Sequence, residues 1–512
     1  MYVRKKKNST GTISVQVIDK STGTYKVLKT IGSSNDPILV NDLVKQAKNY
    51  ISKIQGQQEF DFFLGDDDYF LRTVLTSIDQ VQLLGPELLL GKLFDEIGFR
   101  SIVDDIFRHL VITRLVYPVS KLKTTDYLFR YQGISYEVIE IYRYLDKLHK
   151  KQRQLIQQIS YRHTLKIFNN ELSIVFYDVT TLYFEAETED DLRKAGFSKD
   201  GKHQNPQILL GLLVSINGYP LAYEIFEGNK FEGHTILPVV ETFKKQYNLS
   251  RLVVIADAGL LSNENISQLQ KKGYEFILGG RIKNEPEAIK NKILALSLTD
   301  GQSAEIKKGP EIKLLISYSQ KRAQKDAFNR KRGLEKLEKA LAKGKLNKQH
   351  INKRGYNKYL TLEGEISISI DYQKFDQDKC WDGLKGYTTN TNMTKEEVMA
   401  NYNQLWQIEK AFRISKTDLR IRPVYHRLKR RIESHICIAF CAYKIYKELQ
   451  RQLNEKKIGL SPEKAIDILK TIYGIYLILP QSKKKKLLLL VKQEEQVALL
   501  KAFNIDFGCP GV

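Results

Sequence analysis

The sequence predicts an α/β protein. It reads as a mixed sheet flanked by helices, broken by an inserted segment and preceded by a small β-plus-helix module and an all-helical stretch. Three observations predict it. Between residues 171 and 283 short apolar runs alternate with helical periods, the texture of a buried sheet covered by helices. Between 85 and 170 the periodicity is helical throughout. Between 284 and 377 the texture changes again, and residues 321–358 hold 14 Lys/Arg against three acidic residues.

A chain of 512 residues is too long for one ordinary core, and about two to four domains are expected. Hydrophobic content of 42% with 10% aromatics supports packed cores over disorder. The balance of 82 Lys+Arg against 59 Asp+Glu, a net charge of +23, favours a polyanionic partner, although charge speaks to association and not to fold. The opening Met1-Tyr2-Val3-Arg4-Lys5-Lys6-Lys7 has no apolar segment behind it, so it is not read as a secretory signal. No apolar run approaches the roughly 18 residues of a membrane span. Cys380, Cys437, Cys441 and Cys509 show neither zinc spacing nor a disulfide framework, which fits a reducing, cytoplasmic setting.

In chain order, residues 1–62 form the small β-plus-helix module. The alternating runs 12–17 and 25–31 flank Asp19-Lys20-Ser21-Thr22-Gly23, a hairpin signal, and a helix follows over 38–54; DNA binding and a capping sheet are both open for it. Residues 63–170 form the helical linker, a candidate DNA-end-binding domain, with helices over 87–97, 102–117 and 136–150; Pro118 ends the second. Residues 171–283 give a strand over 172–180 and a hairpin over 207–216 and 219–226 turned by Asn217-Gly218. A helix over 235–247, a buried strand over 252–257, a helix over 263–272 and a strand over 275–282 complete them. Residues 284–377 read as an inserted domain that begins and ends with sheet, at 312–318 and 366–372, around a basic helix centred on 331–341. Residues 378–450 return to the core, and 451–512 read as helical, with the Lys483–Lys486 run at a solvated end.

The element order over 171–283 matches the ribonuclease H-like arrangement, in which the first and fourth strands are neighbours. Asp178 closes the run Leu172-Ser173-Ile174-Val175-Phe176-Tyr177, and Asp257 closes Leu252-Val253-Val254-Ile255-Ala256. Two acids at neighbouring strand ends are held rigidly by the sheet, and Ala258-Gly259 lets a substrate approach the backbone. A third acid, Glu409, lies on an amphipathic stretch with Tyr402 and Lys416 spaced by seven, almost two helical turns, so the three share one face. Arg413 lies one turn beyond Glu409. Three carboxylates on two strand ends and a helix suit a pair of divalent cations about 4 Å apart, which activate a nucleophile and stabilise a leaving oxygen in phosphodiester chemistry. Beyond the helix, Arg427, Arg430 and Arg431 belong to a basic segment that reads as a phosphate-binding stripe.

These residues resemble the DDE transposases of bacterial insertion sequences. The strand Phe176-Tyr177-Asp178-Val179-Thr180, the strand and turn Ile255-Ala256-Asp257-Ala258-Gly259 and the stretch Tyr402-x2-Leu405-x3-Glu409-x6-Lys416 are similar to the insertion-sequence-four superfamily. That group carries Tyr-x2-Arg-x3-Glu-x6-Lys on its late helix and a β-rich insertion between the second Asp and the Glu. The resemblance spans about 170–450. It implies a cut-and-paste transposase that binds terminal inverted repeats as double-stranded DNA, cleaves them and joins them to target DNA, as a homodimer on DNA in a bacterial, nucleoid-associated setting. It implies Asp178, Asp257 and Glu409 as catalytic ligands of two Mg²⁺ ions, with Mn²⁺ as an alternative, and Tyr402, Arg413 and Lys416 as DNA contacts. Leu405 replaces the family's Arg, a loss offset by Lys410 or Arg413 or matched by a different way of processing the ends in this branch. A Trp of the family's insertion stacks on a flipped base, and Trp381 is the candidate here beside the ordinary reading of core packing. Two alternatives stay open: another ribonuclease H-like nuclease such as a junction resolvase, and a non-catalytic DNA-binding remnant.

Overall fold

The computed structural model describes the chain except residues 10, 22, 56–66, 187, 199–200, 261, 348–349, 353–354, 364–366, 481 and 508–512. Cys509 and Ile366, the latter expected to open a strand, lie outside the described residues. The chain divides into two compact units, residues 1–79 with 477–486 and residues 80–476 with 487–512.

In the smaller unit, strands Tyr2–Lys7, Ile13–Asp19 and Lys26–Ser34 form an antiparallel sheet in chain order. The expected hairpin is therefore joined by a basic edge strand, and lysines on an edge discourage further pairing. Helix Pro37–Ile54 starts where Asp36 accepts from the Ile38 amide at 2.8 Å, with Pro37 in the first turn, a favoured cap arrangement. Val40 and Ala47 of the helix bury against Val15 and Val17.

The larger unit is built on an eight-stranded mixed sheet. Its strands are β1 (Ile174–Tyr183), β2 (Gln207–Ser215), β3 (Pro220–Glu227), β4 (Val253–Ala256), β5 (Glu275–Gly280), β6 (Ser303–Lys307), β7 (Lys313–Tyr318) and β8 (Leu384–Thr389). Their spatial order is β6-β7-β8-β5-β4-β1-β2-β3. β1 pairs antiparallel with β2 and parallel with β4, and β4 pairs parallel with β5. The sheet is buried on both faces, which explains the continuous apolar runs of β2 and β4. Side chains alternate between two cores. Phe176, Leu182, Val253 and Ile255 face the larger one, which holds most of the helices. Val175, Tyr177, Val179, Val254 and Ala256 face the other, covered by helices Ile236–Tyr247 and Asn263–Lys271.

At the centre of the larger core lies helix Lys429–Glu455, buried almost without interruption from Ile432 to Leu449. It packs on helices Asp105–Val116, Val138–Lys151 and Arg153–Ile167. Some of its buried polar groups reach backbone carbonyls: Ser434 donates to the Leu145 carbonyl at 2.6 Å, and Tyr443 to the Gly218 carbonyl at 3.0 Å. Cys437 and Cys441 are free and buried in this helix.

Three local expectations change. The segment expected as a separate insertion contributes β6 and β7 to the main sheet, through β7 against β8. Leu314 and Ile316 on one face of β7 and Leu315 on the other are all buried, and a strand apolar on both faces needs sheet partners. Outside the sheet, helix Gln320–Ala342 and the hairpin Leu360–Glu363 with Ser367–Ile370 share a small core of Leu337, Tyr359, Leu360 and Ile370. The C-terminal stretch, expected to be helical, holds helices Pro462–Leu469 and Glu494–Ala502 but also strands Tyr473–Ile478 and Lys485–Leu490. Tyr473-Gly474-Ile475-Tyr476-Leu477-Ile478 is rich in β-branched and aromatic residues, which favour a pleated surface. Finally, the late helix is two helices, Lys395–Asn403 and Trp406–Thr417.

Candidate active site

The parallel ladder between β1 and β4 ends with Tyr177 opposite Ala256. Asp178 and Asp257 are the next residue of each chain segment, so the sheet sets them side by side. Their settings differ. β1 continues to Tyr183, and Asp178 lies mid-strand opposite Leu212 of β2, not at a strand end as the sequence suggested. It is half-buried, with Oδ1 accepting from the Val179 amide at 2.7 Å. Asp257 directly follows β4, is exposed, and opens a tight turn in which the Leu260 amide donates to its carbonyl at 3.1 Å. By strand alternation Asp178 shares a face with Phe176 and Leu182, and Asp257 with Val253 and Ile255. That is the face of the larger core, where helix Trp406–Thr417 packs on β1 and β2 through Ile408, Ala411 and Phe412.

Glu409 is exposed in the first turn of this helix, where the helix dipole favours a negative charge. The break before it is a tightening. Amides of Gln404, Leu405, Gln407 and Ile408 donate to carbonyls three residues back, at 2.9–3.1 Å, a 3₁₀-type link. Leu405 occupies that link and is buried, 8% exposed. Tyr402 and Glu409 therefore do not share a face of one continuous helix. They are brought to the same place by the bend.

Tyr402 is the joint of the site. Its ring is buried, edge-on to Tyr387 at 5.0 Å between centroids, and the Lys385 ammonium lies over it at 4.6 Å. Its hydroxyl donates to Asp257 Oδ1 at 3.2 Å. Burial first, then the Asp257 carboxylate, raises the hydroxyl's pKa, so it remains a donor. Close approach here needs a glycine. A Cβ on Gly279 of β5 would stand 2.5 Å from the Tyr402 hydroxyl and 2.9 Å from the Ala258 amide nitrogen.

Lys385, which sequence reasoning missed, is the cation among these acids. Burial, then the neighbouring Arg322, hold its ammonium below the usual lysine range, while Asp257 and Glu409 pull the other way. It has no ion pair among the described residues. No local pattern marks it; its importance comes from β8 pairing with β5 beside the Asp257 turn. From Lys385 a cavity of about 560 Å³ opens between the sheet and helix Gln320–Ala342, lined by Arg281, Lys283, Arg322 and Trp381. Trp381 is half-buried against the small core around Ile282 and Ile316, with the Lys283 ammonium 6.0 Å from its ring. Part of the cleft's charge is neutralised, since Lys283 and Lys358 pair with Asp378 and Arg330 pairs with Asp382.

The remaining predicted residues spread out. Arg413 and Arg427 are exposed and Lys416 is half-exposed. Lys410 lies 5.8 Å over the Trp406 ring. Arg430 and Arg431 are both engaged by Asp146, at 2.8 Å and 3.0 Å. As donors, three carboxylates suit a hard divalent cation. Among the described residues, however, no three His, Cys, Asp or Glu side chains converge on a point that would hold a metal ion. The donor chemistry fits such an ion, and the side-chain positions do not close around one. No helix among the described residues is long and apolar enough to cross a membrane.

The family model described as a transposase DDE domain matches residues 169–445, more than half of the chain. Among solved structures, a piggyBac transposase synaptic complex with hairpin DNA aligns at a TM-score of 0.36 and 11% identity, over 77% of this chain and 80% of that one. At that TM-score the likeness carries no argument about this chain. No curated protein matches.

Proposed function

The chain belongs to the transposase DDE domain family, and from that premise we propose that it is a DNA transposase of the cut-and-paste type. In this reading it binds terminal inverted repeats, cleaves the DNA at the element ends and joins the 3′ ends to target DNA, acting as a homodimer on DNA. The observation that carries the reading is the parallel register of β1 and β4, which sets Asp178 beside Asp257, with Tyr402 linking Asp257 toward Glu409. The order β3-β2-β1-β4-β5 supports reading these strands as a ribonuclease H-like core. The insertion-sequence-four pattern of Tyr402, Glu409 and Lys416 supports that branch of the family.

Asp178, Asp257 and Glu409 would hold two Mg²⁺ ions, or Mn²⁺ in their place, which when bound lower the pKa of a nucleophile and stabilise the leaving oxygen. The chain's own groups do the rest. Tyr402 fixes one Asp257 oxygen by its hydrogen bond and so leaves the other to face the substrate. Lys385 balances charge between Asp257 and Glu409 and is placed to meet a phosphate oxygen. Arg413, Lys416, Lys410 and Arg427 offer cations for the DNA backbone, with Arg430 and Arg431 available on release from Asp146. Trp381 presents an aromatic surface in the cleft beside Lys385 for a base to stack on.

The test is Mg²⁺-dependent cleavage and strand transfer on DNA carrying the element's own ends, comparing the full chain with Asp178→Asn, Asp257→Asn and Glu409→Gln. Each substitution should abolish cleavage and leave end binding nearly intact. End binding without cleavage by the unsubstituted protein would favour a non-catalytic remnant. Cutting of branched DNA regardless of end sequence would favour a resolvase.

A further inference from the structure

A second cavity, of about 430 Å³, lies between the start of helix Lys121–Gln132 and the loop before helix Lys429–Glu455. Seven of its lining side chains are basic, among them Arg114, Lys121, His426 and His435. Arg114 is 5% exposed, Lys121 4% and His435 7%. Among the described residues neither Arg114 nor Lys121 has an ion pair or a hydrogen bond from its side chain. The His426 and His435 rings meet edge to face at 5.4 Å. His435 Nε2 lies 3.0 Å from the Ile421 carbonyl and donates to it, while its Nδ1 is buried without a partner.

Such an arrangement is costly alone. A buried cation without a counter-ion loses several kcal/mol of hydration, and this one is surrounded by others of the same sign. The charges that act on His426 are those of Lys121, Arg114 and Arg431, secondary to burial, and all of them oppose its protonation. For Arg114 burial alone lowers the pKa, to about 10, which still leaves it charged at neutral pH. Among the described residues, no carboxylate is among the groups that act on Arg114, Lys121, His426 or His435. What would balance them is an anion from outside the chain, and the mouth of the cavity, rimmed by the exposed Leu122 and Tyr425, is open to one.

We propose that this cavity is an oxyanion site that takes a phosphate group, with Arg114 and Lys121 as its charge partners and the two histidines as its polar wall. The fork of Arg114 suits two phosphate oxygens and the Lys121 ammonium a third. His435 Nδ1 accepts from a protonated phosphate oxygen, or donates once its ring is protonated. The start of the 12-residue helix at Lys121 adds its dipole in the same sense. The phosphate comes from a DNA backbone or from a small free phosphate. The first source rests on the transposase reading, and geometry suits it. The Val424 amide donates to the Tyr183 carbonyl at 3.4 Å, and this ties the loop to the end of β1. Tyr183 lies five residues along that strand from Asp178, about 17 Å at the usual rise, a few nucleotides from the acids.

The experiment is thermal unfolding and calorimetric titration of the full chain with inorganic phosphate at constant ionic strength, chloride serving as reference. A duplex oligonucleotide is titrated in parallel. Phosphate should bind and raise the unfolding temperature where chloride does not, and Lys121→Gln should weaken it about tenfold, the loss of one charged hydrogen bond. If Lys121→Gln weakens the duplex as well, the site takes a backbone phosphate. If only inorganic phosphate is affected, the ligand is a small free phosphate. No preference for phosphate over chloride, together with unchanged duplex binding by Lys121→Gln, overturns the proposal. Should the variant fail to fold, acylation of the unsubstituted protein decides the question. Phosphate should slow labelling of Lys121 relative to the exposed Lys166, which lies outside the cavity, and equal rates with and without phosphate refute the site. The phosphate titration needs no cleavage, so its result stands apart from that of the strand-transfer assay.

Discussion

Replacing Gly279 by alanine tests the packing that joins three parts of the candidate site. A Cβ there would lie 2.9 Å from the Ala258 amide nitrogen, where ordinary contact begins at 3.4 Å, and 2.5 Å from the Tyr402 hydroxyl. Tyr402 cannot swing aside, because Tyr387 and Lys385 hold its ring. The Asp257 turn must then retreat by about half an ångström. Overpacking of this kind costs about 1–3 kcal/mol, and domains of some 150–250 residues lose about 2–4 °C per kcal/mol. A displacement of about 1 Å at a reacting group can cost on the order of 100-fold in rate. Half of that predicts roughly tenfold slower Mg²⁺-dependent end cleavage alongside a loss of a few degrees in unfolding temperature. Gly309→Ala, in the loop between β6 and β7, is the control, since a Cβ there meets nothing within 4 Å. Calorimetry and a single-turnover cleavage assay read the two variants side by side. If Gly279→Ala behaves like Gly309→Ala in both, the close approach of Tyr402 and the Asp257 turn to β5 is refuted.

Other expectations follow from single contacts. Tyr402→Phe removes the 3.2 Å bond to Asp257, worth about 1 kcal/mol; cleavage should slow by up to roughly tenfold with the fold retained by circular dichroism, and an unchanged rate would deny Tyr402 a positioning role. Leu405→Arg restores the family's residue but buries a charge where the side chain is 8% exposed. It should destabilise the protein by about 2–4 kcal/mol rather than improve DNA binding, and an unchanged unfolding temperature with tighter binding would contradict this. Glu448 is 1% exposed on its side chain. Burial raises its pKa, but hydrogen bonds from Arg451 and Gln452 outweigh burial and bring it down to about 2. A depressed acid stabilises above its unfolded pKa and loses that contribution as pH falls through the folded one. About 3 kcal/mol should therefore disappear between roughly pH 4.5 and 2, and Glu448→Gln should flatten that limb of the stability profile.

Much of the site was legible in the chain. Asp178 and Asp257 each end an apolar run, and runs of that kind become the central strands of a sheet because burial on both faces demands them. Spacing of seven pointed to Tyr402, Glu409 and Lys416 together; in the structure Tyr402 bonds Asp257 and feels the charge of Glu409, by a route that spacing does not contain. The 3₁₀-type link at 404–405 re-aims Tyr402, because Leu405 is drawn into the core. Period alone assumes an uninterrupted helix.

Local sequence determined the apolar alternation that names the strands, the Asn217-Gly218 turn, the proline-limited helices and the excess of positive charge, all of which depend on neighbours along the chain. Only the tertiary structure decided which strands pair. That choice put β6 and β7 into the main sheet, set Lys385 of β8 among the acids, required glycine at 279, and enclosed Arg114 and Lys121 beside two histidines, with no carboxylate among the described residues acting on them. The physical reason is range. Propensity and periodicity act over a few residues, whereas burial and unscreened charge are settled between segments hundreds of residues apart.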